Sequence, residues 1–171
     1  MSLKELEQEG VKLEWTPWKM PDDANPPAKP EGYGEEAKHF LGELMDKTGI
    51  NIKPPSKKCD TFLAHVGGKF AREYGKFTTY HQRIFKAVWE DDVDIEKEDV
   101  LAQLAAEVGL DSIQYKNALN NPTYKQLVKD DFRKAQENQI WTIPSYVGSK
   151  GVIQVHHFKD MPDIQALLEI I

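Results

Sequence analysis

Gln139-Ile140-Trp141-Thr142-Ile143-Pro144-Ser145-Tyr146-Val147 is the stretch on which the fold turns. It joins a β-branched and aromatic run to a proline at its mouth. Proline has no N–H to give to a ladder, so it belongs at the first residue of a strand and not in its middle. X-Pro is also the one bond type for which a cis peptide is cheap, about 0.5 to 1 kcal/mol against trans. Local sequence alone favours the trans form. A cis bond at Ile143-Pro144 would turn the chain sharply and leave the amide and carbonyl of Ile143 free to pair with an extended ligand.

Gly148-Ser149-Lys150-Gly151 follows as a turn with two glycines able to take positive φ, and Val152-Ile153-Gln154-Val155 is a second apolar run of strand length. The spacing predicts a β-hairpin. Asp160-Met161-Pro162-Asp163 then opens a terminal helix, with Asp160 the candidate N-cap and Ile164, Leu167, Leu168 and Ile171 at helical spacing. A proline-led hairpin followed by a terminal helix is the C-terminal half of a thioredoxin-like fold.

Upstream, Lys4 to Glu9 favours helix and Gly10 stops it. Val11-Lys12-Leu13-Glu14-Trp15 alternates as a half-buried strand does. Pro17, Pro21, Pro26, Pro27 and Pro30 mark a surface connection. From Glu35 onward the period becomes helical: Ala37, Phe40, Leu41, Leu44 and Met45 share a face, and Gly49 ends it. Phe62 to Tyr74, Tyr80 to Val88 and Val100 to Val108 make further helices. Asp111 starts another, and Asn121-Pro122 supplies the N-cap and first residue of a last long one. A long helical stretch therefore lies between the first predicted strand and the hairpin.

The chain has 171 residues, enough for one sizeable domain or one domain with an insertion. Its net charge of −6, with 29% charged residues and no basic stripe, argues against nucleic acid as a partner. No apolar run is long enough to span a membrane and residues 1–20 do not read as a charged-then-apolar signal, so no membrane partner is expected. The single cysteine, Cys59, excludes an internal disulfide and a Cys-x-x-Cys pair, and points to a reducing, cytoplasmic setting.

The segment from Tyr124 to Ile171, with Tyr-Lys-Gln-Leu-Val-Lys-Asp-Asp-Phe-Arg-Lys-Ala ahead of Ile-Trp-Thr-Ile-Pro-Ser-Tyr-Val, resembles the C-terminal part of DsbA-like thioredoxin proteins. Glu14-Trp15-Thr16-Pro17-Trp18-Lys19-Met20, Ala64-His65, Ala87-Val88-Trp89 and Glu107-Val108-Gly109-Leu110-Asp111 fit in the same order. Closest in kind are the dithiol-disulfide isomerases, which are similar to 2-hydroxychromene-2-carboxylate isomerases and kappa-class glutathione transferases. The resemblance implies an α/β thioredoxin-like fold, incomplete at the N-terminus, with a large all-helical insertion. Residues 1–30 and 139–171 would form the thioredoxin-like part and 31–138 the insertion. On this comparison the chain begins within the family's first helix, after the first strand and the redox motif.

What the resemblance implies for function is a thiol-disulfide oxidoreductase or isomerase, here without its redox motif. A glutathione-dependent isomerase or transferase and a non-catalytic peptide-binding module are the alternatives. No catalytic residue is expected in this chain. The substrate-facing residues would be Trp141, Thr142, Ile143 and Pro144, with Ile143-Pro144 cis. No cofactor is required, though glutathione is compatible. The partner would be a thiol or disulfide protein or a small molecule, and a homodimer through exposed strand edges is expected, because the missing strand would leave edges bare.

Other residues have plainer readings. Cys59 follows Lys57 and Lys58 near a helix start and is the one candidate thiol, but it does not occupy the family's redox position, and a lone cysteine beside an apolar helix is usually inert. Trp141 beside a strand more often packs than binds. No metal site is expected: His156 and His157, adjacent on an alternating strand, would point to opposite faces. His65 reads as a helix histidine satisfied by a carbonyl. Glu90-Asp91-Asp92-Val93-Asp94 lacks the glycine and bidentate glutamate of a calcium loop and reads as solvated caps.

Overall fold

In the computed structural model, residues 3–20, 25 and 27–171 are described, and they form two compact units. One comprises Met1–His39 with Asp131–Ile171, the other Phe40–Asp130. Helix α1 (Leu3–Gln8) ends where Gly10 takes a φ of +82°, a left-handed conformation that a side chain would resist. The Val11 amide caps the end of the helix by bonding to the Leu6 carbonyl at 3.0 Å.

The predicted strand from Val11 to Trp15 does not form. Burial alternates as expected, with Val11 and Leu13 half-covered between exposed Lys12 and Glu14, but these residues join no ladder. Alternation lays out a face. A strand exists only when a neighbour takes its N–H and C=O groups, and among the described residues the sheet has just two strands, both in the hairpin.

Those strands are β1 (Ser145–Val147) and β2 (Val152–Gln154), antiparallel with Ser145 opposite Gln154 and Val147 opposite Val152. The turn closes through the Gly148 amide to the Gly151 carbonyl at 2.9 Å. Neither glycine takes positive φ, contrary to the sequence expectation. Gly148 is required for closeness instead: a Cβ there would lie 2.7 Å from the Ile170 carbonyl carbon and nearer still to its oxygen. The turn is fastened to the C-terminal segment by Lys150 N–H to Ile170 O at 2.9 Å and by Ser149 Oγ to Ile171 O at 2.7 Å.

The terminal helix α8 (Ile164–Glu169) is capped by Asp163, whose Oδ1 accepts from the Ala166 amide at 2.8 Å, and not by Asp160. Pro162 explains the shift. The residue before a proline is driven out of the α region, and Met161 sits at ψ 123°, so no helix can begin until the proline is passed. Asp160 closes a short 3-10 turn, Phe158–Asp160. Helix α8 packs against α1, and Leu6, Ile140, Val155 and Leu167 are the buried apolar residues of this unit.

The second unit is helical. It contains α3 (Phe62–Glu73), α4 (Phe77–Trp89), α5 (Glu98–Glu107) and α6 (Ser112–Asn120). Two helices run on into the first unit, α2 (Tyr33–Thr48) and α7 (Pro122–Glu137). Capping follows the sequence signals: Asp111 accepts from the Gln114 amide at 2.8 Å and Asn121 from the Thr123 amide at 2.9 Å. Helices α3, α4, α5 and α6 pack on one another around Val66, Leu101, Tyr115 and Leu119. At the centre Tyr80 donates to the Ala64 carbonyl at 2.9 Å, and the Tyr115 hydroxyl meets the Tyr80 hydroxyl at 2.6 Å. Gly67 makes that approach possible, since a Cβ there would stand 2.5 Å from Tyr115 Cζ. Helix α2 behaves differently, burying no residue along its length; Leu41 and Leu44 of its apolar face are exposed.

Candidate substrate-binding loop

The loop ahead of β1 is held from several sides by groups distant in sequence. Trp18 Nε1 donates to the Ile140 carbonyl at 3.1 Å. Gln154 bridges the loop from β2: its Oε1 accepts from the Trp141 amide at 2.9 Å, and its Nε2 donates to the Gln139 carbonyl at 3.0 Å. Thr142 Oγ1 donates to the Val155 carbonyl at 3.2 Å, Ser145 Oγ to the Thr142 carbonyl at 2.6 Å, and the Val155 amide to the Pro144 carbonyl at 3.0 Å. The Ile143-Pro144 peptide bond is cis.

Within this bonded frame one residue stands apart. Ile143 is 60% exposed, and neither its amide nor its carbonyl has a hydrogen-bond partner among the described residues. The open edge continues into β1. Antiparallel pairs alternate between bonded and non-bonded rungs. Pro144 with Val155 and Gly148 with Gly151 are bonded rungs, so the Ser145 and Val147 backbone groups point away from β2. Ile143, Ser145 and Val147 therefore present successive N–H and C=O groups outward, the arrangement that pairs with an extended chain.

Beyond the end of β2 lies a cluster that sequence reading did not assemble. The Trp141 and His156 rings are 5.1 Å apart. Lys29 donates to the His156 carbonyl, stands 3.4 Å from His156 Nδ1 and lies 4.8 Å over the Tyr33 ring. Tyr33 meets His157 edge-on at 5.0 Å and Phe158 at 5.7 Å. Lys159 pairs with Glu36, and that bond holds the Glu36 carboxyl below its usual range. Both histidines lie beyond the end of β2, so strand alternation does not govern them; each ring is engaged with aromatic neighbours. Nothing near Lys29 in sequence signals its place here, because the residue it bonds, His156, is 127 residues away.

The remaining candidates belong to the helical unit. Cys59 precedes α3, with Sγ 3.7 Å from the Lys57 carbonyl and 3.8 Å from Asp94 Oδ1. Lys57 bridges Asp94 at 3.3 Å and Glu96 at 3.0 Å, while Asp92 Oδ1 accepts from the Ser56 amide at 2.8 Å, so the acidic run caps and pairs within its own unit. His65 Nε2 faces the Thr61 hydroxyl at 3.3 Å. Among the described residues no group of three or more His, Cys, Asp or Glu side chains is placed to hold a metal.

A profile of the DSBA-like thioredoxin domain matches residues 1–169. The chain belongs to that family. It is 31% identical over 159 residues to the uncharacterized protein YwbO of Bacillus subtilis (strain 168), covering 88% of this chain and 78% of the relative. Two solved structures share the fold. A probable DsbA oxidoreductase from Streptomyces coelicolor matches with a TM-score of 0.57 and 21% identity over 65% of this chain. A 2-hydroxychromene-2-carboxylate isomerase matches at 0.60 and 16% over 70%. The chain spans 49% and 59% of the lengths of those two proteins. The architecture is thus a helix-rich, thioredoxin-like DsbA fold with, among the described residues, a small two-stranded sheet. Among the described residues no helix is long and apolar enough to cross a membrane.

Proposed function

We propose that this chain is the substrate-holding part of a DsbA-like thiol-disulfide oxidoreductase or isomerase, acting in the cytoplasm on cysteine-bearing polypeptides. Residues Trp141 to Pro144 form the platform. The observation that carries the reading is the exposed Ile143, whose amide and carbonyl have no hydrogen-bond partner among the described residues, in a loop whose other contacts are fixed by Gln154, Thr142, Ser145 and Trp18. Leaving a backbone donor and acceptor open in a rigid frame suits pairing with an extended substrate, because little ordering cost remains at the moment of binding.

Chemistry on the substrate sulfur needs more than this chain holds. In disulfide exchange a thiolate attacks one sulfur, the other leaves as a thiolate, and a second thiol resolves the mixed disulfide. With Cys59 as its single cysteine, the chain can reach a mixed disulfide at most. The test is binding: an S-methylated cysteine peptide is titrated into the chain, then the same peptide N-methylated at successive residues. Backbone pairing requires one N-methyl position to abolish binding. Equal affinity for every N-methylated peptide overturns the reading.

A further inference from the structure

The outer edge of β1 is undefended. Exposed strand edges in folded proteins are commonly guarded by a charged side chain, a proline within the strand or a bulge. Between Ser145 and Val147 there is none of these: the strand reads Ser-Tyr-Val and pairs with β2 in unbroken register. The backbone groups of Ser145 and Val147 point away from β2, and among the described residues no other element takes them. A donor and an acceptor at every second residue, with no charge to repel a neighbour, form a pattern that one further extended strand completes.

The side chains along this edge are sorted by face. Residues directly opposite one another in a ladder share a face, so Val147 and Val152 lie together on one side, and Tyr146 and Ile153 on the other. Val147 is 56% and Val152 40% exposed, whereas Tyr146 and Ile153 are half-buried. Ser145 and Gln154 share the face of the two valines, but their polar groups are committed: Ser145 Oγ donates to the Thr142 carbonyl, and the Gln154 amide holds the loop. A strand added beside β1 would set one of its side chains directly against Val147, which Val152 backs from β2. The edge ends there, because Gly148 is packed against the Ile170 carbonyl.

We propose that β1 extends the binding platform by strand addition and selects polypeptides that place a β-branched apolar residue, valine or isoleucine, opposite Val147. This deepens the peptide-binding function proposed above and rests on it. The probes are a threonine peptide with S-methylcysteine at its centre and versions carrying a single Thr→Val change at successive positions, each titrated calorimetrically into the full chain. Valine at one position raises affinity about threefold, the scale of a cross-strand apolar pair. That gain is lost in Val147→Thr, which keeps the branched shape a strand prefers, and persists in Ile113→Thr, a change at an exposed apolar residue of the helical unit. N-methylation, moved along the tightest peptide, abolishes binding at alternate residues. Equal affinity across the valine series, or a valine gain that survives Val147→Thr, overturns the selection, and sensitivity to N-methylation at a single residue overturns strand addition. Both results leave the pairing at Ile143 standing. Failure of every peptide to bind overturns the platform and this extension with it, and a dimer seen at the same concentration then gives the edge to a second copy.

Discussion

Replacing Gly67 by alanine tests whether the helical unit is organised around its tyrosine pair. The new methyl group would meet Tyr115 Cζ at 2.5 Å and the Tyr80 hydroxyl at 2.6 Å, with the Tyr115 hydroxyl closer still. Both rings are buried, Tyr115 completely, and both hydroxyls are committed, one to the other and Tyr80 to the Ala64 carbonyl. Neither can swing away without breaking a bond in a water-free setting. Overpacking of this kind costs about 1 to 3 kcal/mol, and a lost buried hydrogen bond adds about 1 kcal/mol. Alanine's better helix propensity returns about 1 kcal/mol. The net is a destabilisation of about 1 to 3 kcal/mol, which in a chain of this size lowers the Tm by about 2 to 12 °C.

Urea unfolding followed by circular dichroism gives the magnitude, and a double-mutant cycle gives the cause. Tyr115→Phe removes the hydroxyl closest to the new methyl group. Gly67→Ala with Tyr115→Phe is then less destabilised than the sum of the single changes, with a coupling of about 1 kcal/mol. A Gly67→Ala protein within about 0.5 kcal/mol of wild type, the range of ordinary surface substitutions, refutes the packing argument. Strict additivity of the pair locates the strain elsewhere.

Three further outcomes are expected. The chain alone does not turn over insulin disulfides, and continued turnover in Cys59→Ala would show that the chemistry does not depend on its one thiol. Stability falls on the alkaline side: Glu73 accepts from the Tyr124 hydroxyl and pushes its pKa up to about 12, and burial raises Tyr80 and Tyr115. These groups keep their protons in the folded state where the unfolded chain has lost them, so their contribution is complete below pH about 10 and is lost as the pH rises beyond it. Urea midpoints that stay flat or rise over that window contradict this. Finally, the open edge of β1 invites a second copy, so light scattering at tens of micromolar should report a dimer that peptide binding to Ile143 disperses; a monomer mass at all concentrations removes that expectation.

Helices were the most legible part of this chain because their signals are local. Gly10, Gly49, Gly75 and Gly109 each take positive φ at or just past a helix end, and Asp111 and Asn121 cap the helices they precede. Local signals misled where a second element decides. Val11 to Trp15 has a strand's alternation and no partner. The two turn glycines looked like providers of positive φ, and Gly148 proved to be the space into which the Ile170 carbonyl fits. Asp160 and Asp163 are both plausible caps until the effect of Pro162 on Met161 is counted.

The site divides along the same line. The loop itself could be read from Trp141 to Pro144, since a proline at a strand mouth is a property of consecutive residues. Its surroundings could not: Trp18, Lys29, Tyr33, Gln154 and His156 converge there from both ends of the sequence. None carries a local mark of that role, and His156 was weighed only as a metal ligand. A hydrogen-bonding frame of this kind has no sequence period, because each member is chosen by a distance across the fold and not by its neighbours in the chain. The bonds that shape the loop are made by Gln154 and Thr142, and the ones that hold Lys29 by His156, so replacing Lys29 leaves the loop's own bonds in place.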